Sequence, residues 1–146
     1  MPDMPERFNF GELLAPIAER ASRVDSADGD LAPEIEILRK ARWLTACLPV
    51  SDGGQSWGTE PSGSLVALNA LRYLGRANLS VARLFEGHMN AVKLIALYSD
   101  DRQRAATFDQ VRCGALFGVW GADEPGNPVT MVCEGEKIRL SGAKRF

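Results

Sequence analysis

The chain is poor in the residues that build metal centres and disulfide frameworks. It contains one histidine, His88, and three cysteines, Cys47, Cys113 and Cys133, among 146 residues. One histidine cannot supply the usual zinc constellation, and the cysteines are odd in number and far from any CxxC spacing. The composition therefore argues against a zinc site and against a disulfide framework. The largely apolar neighbours of Cys47 and Cys133 predict buried free thiols.

The chain also lacks a dominant charge and a long apolar run. Lys and Arg number 17 and Asp and Glu number 19, which gives a formal net charge of −2. This balance provides no electrostatic basis for nucleic-acid binding, and no run of about 20 apolar residues could span a bilayer. The N-terminus lacks the basic and then apolar pattern of a signal peptide. We therefore expect no nucleic-acid partner, no membrane span and a cytoplasmic location.

Most of the chain has the apolar periodicity of α-helices. Capping residues and prolines mark where the helices begin and end, since they supply or withhold main-chain hydrogen bonds. A loose arm is expected at residues 1–7 and a polar loop at 24–31. The predicted helices cover 8–23, either kinked at Pro16 or beginning near it, Pro33 to Leu48, Ser62 or Ser64 to about Gly75, Asn78 or Ser80 to about Tyr98, and Asp100 or Ser99 to Gly114.

Two features inside the helical part invite a functional interpretation. The loop Ser51-Asp52-Gly53-Gly54 is rich in glycine, but no GxxxxGK[ST] or GxGxxG pattern is present, so a structural turn is the preferred interpretation. His88 lies beside the apolar face of the longest helix. It could contact a substrate or shuttle a proton. The favoured interpretation is a histidine at a helix–helix contact.

After Gly114 the pattern changes from that of helices to that of strands. Residues 115–120 are mostly apolar and predict a buried strand, and a turn-rich loop follows at 124–128. Residues 129–133 and 137–140 predict a half-buried hairpin around Gly135. Lys144 would begin another strand. Because a half-built sheet leaves its edges unpaired, we expect this chain to be a fragment of a longer protein.

The order of these elements resembles the acyl-CoA dehydrogenase family over most of the chain. The resemblance implies a mainly α fold, with an N-terminal helical domain at 1–113 and the beginning of a truncated middle β-domain at 114–146. The matching residues are Leu38-Arg39-Lys40-Ala41, Leu48-Pro49, Gly53-Gly54, residues 75–82 and 86–90, Gln103, Gly114, residues 120–125 and residues 140–146.

In that family FAD lies against the β-domain, at a strand ending in an aromatic-x-x-Thr-Glu-Pro pattern. The resemblance places Trp120 at the aromatic position, Ala122 beside the flavin ring and Asp123 where threonine is usual; a core position at a strand end is an equal alternative for Trp120. A carboxylate at position 123 would disfavour an anionic reduced flavin. The usual Gly-Ser-Asp segment is also replaced, by residues 127–130. Either the flavin contacts differ or Asp123 points away.

The family's catalytic base is a glutamate of a C-terminal helical domain, which has no counterpart here. The resemblance therefore implies no catalytic residue in this chain, an inactive fragment, and weak or absent FAD binding. In the complete protein it implies an acyl-CoA-like substrate and a possible homo-oligomer. Two alternatives stay open. One is a flavin monooxygenase on the same fold, and the other is a non-catalytic helical interaction module.

Overall fold

Helices dominate the structure, a computed structural model that describes residues 10–24 and 29–145. About 60% helix and a few short strands make the fold mainly α. The predicted N-terminal arm and most of the polar loop before Gly29 lie outside the described residues. The elements are α1 Phe10–Val24, α2 Ala32–Lys40, α3 Trp43–Ala46, α4 Ser64–Ala77, α5 Leu79–Tyr98, α6 Asp101–Arg112, β1 Ala122–Asp123, β2 Thr130–Glu134, β3 Lys137–Ser141 and β4 Lys144–Arg145.

Local capping interactions define the ends of α5 and α6. The Asn78 side chain accepts a hydrogen bond from the Val81 N–H at 3.0 Å and caps α5. Asp100 caps α6 in a reciprocal capping box with Gln103. Gly114 follows α6 with a φ of +90°, a left-handed conformation that glycine adopts without strain. The structure confirms these predicted boundaries. They could be predicted because each depends on residues within one helical turn.

The predicted helix from Pro33 to Leu48 is wrong, because it is broken in the middle. Its first part is α2, which begins beside Pro33 as expected. Arg42 then has a φ of +62°, and the short α3 starts a new direction. A left-handed non-glycine residue costs about 1–2 kcal/mol. The break leaves both Trp43 and Leu44 buried, and burying two large apolar side chains offsets that cost.

An aromatic cluster centred on Trp43 joins the helices into one core. The Trp43 ring lies 5.5 Å from Phe10, 5.4 Å from Trp57 and 5.5 Å from Phe85, measured between ring centroids. These spacings suit edge-to-face and tilted aromatic packing. α5 contributes the most buried residues and contacts α3, α4 and α6, so its predicted central position is confirmed. None of the described helices combines the length and apolar character needed to cross a membrane.

The strands form two separate antiparallel pairs, β1 with β4 and β2 with β3. The predicted hairpin is confirmed, with Gly135 in its turn at a φ of +63°. Its predicted half-burial is wrong. Ile138 and Leu140 are each 66% exposed, and every residue of β2 and β3 is exposed. No described element covers the hairpin. For the same reason Cys133 is exposed rather than buried, whereas Cys47 is buried as predicted.

The predicted buried strand at residues 115–120 is also wrong. This stretch is extended but has no strand partner in the described part of the chain. Leu116 and Phe117 are partly buried against the helical core, whereas Trp120 is 59% exposed. The apolar residues therefore reflect packing on helices rather than pairing in a sheet. We call residues 115–121 the junction segment, since they join α6 to β1.

Candidate functional site

The junction segment is anchored to the helices where it begins. The Ala115 N–H donates to the Gln110 carbonyl at 2.9 Å. The Arg39 guanidinium of α2 donates from Nε to the Gly114 carbonyl at 2.8 Å. A Cβ on Gly114 would lie 2.6 Å from Arg39 Cδ, so a larger residue would displace the Arg39 side chain in addition to straining the left-handed φ. The start of the segment is consequently held against α2 and α6.

His88 provides a second anchor, two residues further along the segment. Its side chain is fully buried. Nε2 lies 3.0 Å from the Leu44 carbonyl oxygen, and Nδ1 lies 3.1 Å from the Phe117 amide nitrogen. A carbonyl only accepts and an amide N–H only donates, so the ring is neutral with its proton on Nε2. The predicted helix–helix contact of His88 is confirmed, and the bond to Phe117 adds a role that the sequence did not indicate.

Burial sets the protonation state of His88. Desolvation lowers the pKa of His88 below its ordinary value, and the bond to the Leu44 carbonyl opposes this shift in part. The bond from the Phe117 N–H acts in the same direction as burial, because it uses the lone pair on which a second proton would settle. The rings of His88 and Phe117 also stack, with centroids 6.2 Å apart. His88 is therefore neutral near pH 7.

A close approach of main chains continues the contact beyond Phe117. A Cβ placed on Gly87 of α5 would lie 3.9 Å from both Gly118 Cα and Val119 N. The absence of side chains at Gly87 and Gly118 allows the segment to lie directly on the helix. This contact brings Val119 to the side of α5 near its C-terminal half.

A groove of about 310 Å³ lies between the C-terminal half of α5 and Val119. Apolar side chains form most of its surface, and Asn90 and Lys93 are its polar lining residues. Lys93 has no ion-pair partner among the described side chains. An apolar groove with an available cation suits a molecule with a hydrocarbon part and an anionic part. The lining residues are Asn90, Lys93, Leu94, Leu97, Tyr98 and Val119.

Trp120, Ala122 and Asp123, the predicted cofactor-binding residues, follow Val119 directly. Trp120 is exposed, so its alternative interpretation as a core residue is wrong. A Cβ on Gly118 would lie 3.8 Å from the Trp120 indole nitrogen, which places the indole close to its own main chain. Ala122 and Asp123 form β1, with Ala122 opposite Arg145. All three residues are exposed, and they follow in sequence Val119, which lines the groove.

Asp123 is held by two groups from the residues that flank the β2–β3 hairpin in sequence. The Lys144 ammonium lies 2.7 Å from Asp123 Oδ1, and the Val129 N–H donates to the same oxygen at 3.3 Å. The hydrogen bond from Lys144, followed by that from Val129, holds the pKa of Asp123 below its ordinary value. The carboxylate is therefore ionised at neutral pH, and its charge is matched by Lys144. Val129 belongs to the 127–130 segment that replaces the family's Gly-Ser-Asp.

The side chains at these positions differ in what they could offer a planar ligand. Trp120 supplies an aromatic surface, Ala122 adds no bulk that would keep a planar ring away, and the Asp123–Lys144 pair carries no net charge. The side chain at position 123 accepts hydrogen bonds and cannot donate them when ionised. Asp123 could therefore accept a hydrogen bond from a bound molecule but not donate one to it.

A second cavity, of about 510 Å³, lies beside the loop that contains Gly53 and Gly54. The amide groups of residues 52–57 all donate to carbonyl groups between Ala46 and Val50. None of them is left to cradle a phosphate, so the predicted structural turn is confirmed. Among the described residues, no three His, Cys, Asp or Glu side chains are arranged to hold a metal ion. The cavity is lined by Pro49, Ser51, Asp52, Thr59, Glu60, Ala96, Leu97 and Arg104.

Sequence reasoning missed the groove, although a signal for it was present. Leu94, Leu97 and Tyr98 recur at helical spacing and lie off the face that α5 buries. A second apolar stripe on a helix indicates another contact. Comparison of the chain with models of protein families, with curated proteins and with solved structures found no match. The function is consequently argued from these residues and from the sequence resemblance.

Proposed function

We propose that the chain is the N-terminal portion of an FAD-dependent oxidoreductase resembling acyl-CoA dehydrogenases. The complete protein would dehydrogenate an acyl thioester between its α and β carbons. The observation that carries the proposal is the position of the apolar groove. It is lined by α5 and by Val119, the residue that precedes Trp120 in the sequence. This neighbourhood supports a site in which a flexible hydrocarbon chain would lie beside a planar ring.

Each group of residues has a separate task in this proposal. Leu94, Leu97 and Val119 would bind the hydrocarbon chain by removing it from water. Lys93 would attract the anionic part of a CoA thioester from the rim. Trp120 and Ala122 would lie against the isoalloxazine ring. When bound, FAD accepts a hydride from the β carbon of the substrate, and the protein supplies position and surroundings for that step.

The proposal assigns no catalytic base to this chain. Carboxylates close to the site already have ion-pair or hydrogen-bond partners. Asp123 pairs with Lys144, and Glu86 is bonded to Arg83 and Asn90. We therefore expect the chain alone to be inactive and to bind FAD weakly or not at all. Absorption spectroscopy of the purified chain after incubation with FAD checks this expectation, and stoichiometric bound flavin would contradict it.

Chain-length dependence of ligand binding tests the groove itself. We expect hexanoyl-, octanoyl- and decanoyl-CoA to quench tryptophan fluorescence with rising affinity, by roughly tenfold for each two methylenes, since each buried CH₂ contributes about 0.8 kcal/mol. Leu97→Asp should remove this dependence. Leu65→Asp on α4 is the matched control, because Leu65 is 57% exposed and Leu97 is 59% exposed. Equal affinities for all three ligands, or equal effects of the two variants, would exclude the groove as an acyl site.

A second candidate function is a non-catalytic interaction module. The exposed apolar side chains of the hairpin favour it, since Met131, Ile138 and Leu140 share one face and are each about two-thirds exposed. Exposed apolar patches commonly mark interaction sites. Sequencing the coding DNA beyond Phe146 separates the candidates. Further strands and a helical domain with a glutamate would support the enzyme, and an immediate stop codon would support the module.

A further inference from the structure

His88 connects three parts of the molecule through one imidazole ring. The ring belongs to α5, its Nε2–H donates to Leu44 of α3, and its Nδ1 accepts from Phe117 of the junction segment. A buried ring that only filled space would not need both nitrogen atoms. Here Nε2 donates to the Leu44 carbonyl, which also accepts from the Cys47 N–H at 3.4 Å, and Nδ1 is the hydrogen-bond partner of the Phe117 N–H. The connection is therefore specific to one protonation state and one tautomer.

The bond to Phe117 is the attachment in the middle of the junction segment. The segment is held at its start by Gly114 and Ala115, and at its end by the pairing of β1 with β4. Of residues 116–119, Phe117 is the one whose main chain is hydrogen-bonded in the described structure. Val119, two residues further on, forms one side of the groove.

We propose that His88 is the positioning residue of the groove. Its neutral form holds Phe117 and thereby sets Val119 against α5, and protonation of Nδ1 releases this stretch and opens that side of the groove. Ligand binding at the groove would then weaken as the pH falls. That the ligand is an acyl thioester rests on the proposed function, whereas the attachment and its release do not.

The chemistry of the imidazole makes the two states mutually exclusive. A proton on Nδ1 would point at the Phe117 N–H, and two donors cannot form a hydrogen bond. The imidazolium would also be a buried charge, which is unfavourable without an anionic partner. Movement of the segment relieves both problems, because it removes the opposing N–H and admits water. The Leu44 bond is unaffected, since Nε2 carries a proton in both states.

In the part of the chain that the structure describes, no charged side chain is hydrogen-bonded or ion-paired to the His88 ring. Residues 114–121 contain no ionisable side chain, and neither does α3. Cys47, which follows α3, is buried, and burial raises the pKa of its thiol, so that it stays neutral. On α5, Arg83 and Glu86 pair with each other, and Lys93 is exposed at the groove. Arg39 of α2 is bonded to Gly114. The response to pH is thus expected to follow His88 itself.

Amide hydrogen exchange measured by NMR on the intact chain tests the proposal. The protection factor of the Phe117 amide should fall by about tenfold for each pH unit below the His88 pKa, because the neutral form is depleted tenfold per unit. The Ala115 amide, bonded to Gln110 in the same segment, is the internal control and should keep its protection. The ring nitrogen shifts of His88 report its protonation in the same samples.

Two variants distinguish a hydrogen-bonding role of His88 from a role in filling space. In His88→Gln, an amide can donate to Leu44 and accept from Phe117 without titrating, so Phe117 should stay protected at all pH values. In His88→Phe, Phe117 should be unprotected at all pH values. Two results would overturn the proposal. One is that the Ala115 and Phe117 amides lose protection together. The other is that exchange of the Phe117 amide in the unmodified chain does not change as His88 titrates. Failure of octanoyl-CoA to bind at any pH would instead count against the proposed function.

Discussion

The two adjacent glycines of the loop before Trp57 should respond very differently to the same substitution. A Cβ on Gly54 would lie 2.0 Å from the Leu48 carbonyl oxygen and 2.5 Å from the Leu48 carbonyl carbon. Both are main-chain atoms, so the loop itself must move. Gly53 has a φ of +84°, but a Cβ there would meet no atom within 4 Å. Alanine at Gly53 therefore meets backbone strain alone, and alanine at Gly54 meets a steric clash.

The structure indicates the size of each effect. Gly53→Ala should cost about 1–2 kcal/mol of unfolding free energy, the cost of placing an L-residue in the left-handed region. In Gly54→Ala, the clash with the Leu48 main chain should cost about 1–3 kcal/mol through overpacking. The required shift also disturbs the bonds from Gly54 N–H to Pro49 at 3.0 Å and from Ser56 N–H to Leu48 at 2.9 Å. Each such bond contributes about 1 kcal/mol, so Gly54→Ala should cost about 3–5 kcal/mol.

Urea unfolding followed by tryptophan fluorescence measures both variants against the unmodified chain. Trp43 and Trp57 are buried and therefore report on the loss of the core. We expect Gly54→Ala to lower the unfolding midpoint by at least about one and a half times as much as Gly53→Ala, with the slope of the transition unchanged. A Gly54→Ala variant as stable as Gly53→Ala would refute the argument, because it would show that the loop does not hold Gly54 against Leu48.

Three further predictions concern a helix cap, a histidine and an ion pair. Asn78→Ala should lower the unfolding free energy by about 1 kcal/mol in urea experiments, whereas Asn78→Asp keeps an acceptor for the Val81 N–H; equal losses would exclude the capping role. The pKa of His88 is lowered in the folded state. The contribution of neutral His88 to the unfolding free energy is therefore complete above about pH 6.5 and is lost as the pH falls through the folded pKa. This loss is at most about 1.4 kcal/mol per pH unit. His88→Gln should abolish this part of the pH dependence between pH 5 and 8, and an unchanged profile would contradict it. Asp123→Asn should leave Lys144 without its ion pair and increase exchange of the Val129 amide by NMR; an unaltered Val129 amide would show that the carboxylate does not hold that loop.

The parts of the fold that sequence reasoning predicted correctly depend on neighbouring residues. Asn78 and Asp100 cap helices through bonds to amides three residues away, and Gly114 ends α6 through its own φ. The break at Arg42 could not be predicted in this way. It depends on the burial of Trp43 against Phe10 and Phe85, which are distant in sequence, and such tertiary packing overrides helix propensity.

The junction segment shows why an apolar run does not identify its partner. Residues 115–120 have the composition of a buried strand, but they lie on α5, where the glycines at 87 and 118 allow close approach. Periodicity cannot distinguish these cases, since both place apolar side chains against a core. Likewise, nothing local pairs Phe117 with the ring of His88, 29 residues earlier. The change from helical to extended chain after Gly114 was predictable from the sequence, whereas the groove beside α5 and the attachment of the segment to His88 were not.

The Asp123–Lys144 ion pair changes the electrostatic effect expected of an acidic residue at the proposed flavin site. The objection to a carboxylate at this position assumed an isolated negative charge, which would repel an anionic reduced flavin. The β1–β4 pairing places Lys144 directly opposite Asp123, with its ammonium at 2.7 Å. The pair presents a dipole instead of a net charge, so the repulsion is largely cancelled. If a flavin ring lies here, the residue that decides the local potential is Lys144, and its replacement by methionine would restore the unfavourable charge without altering Asp123.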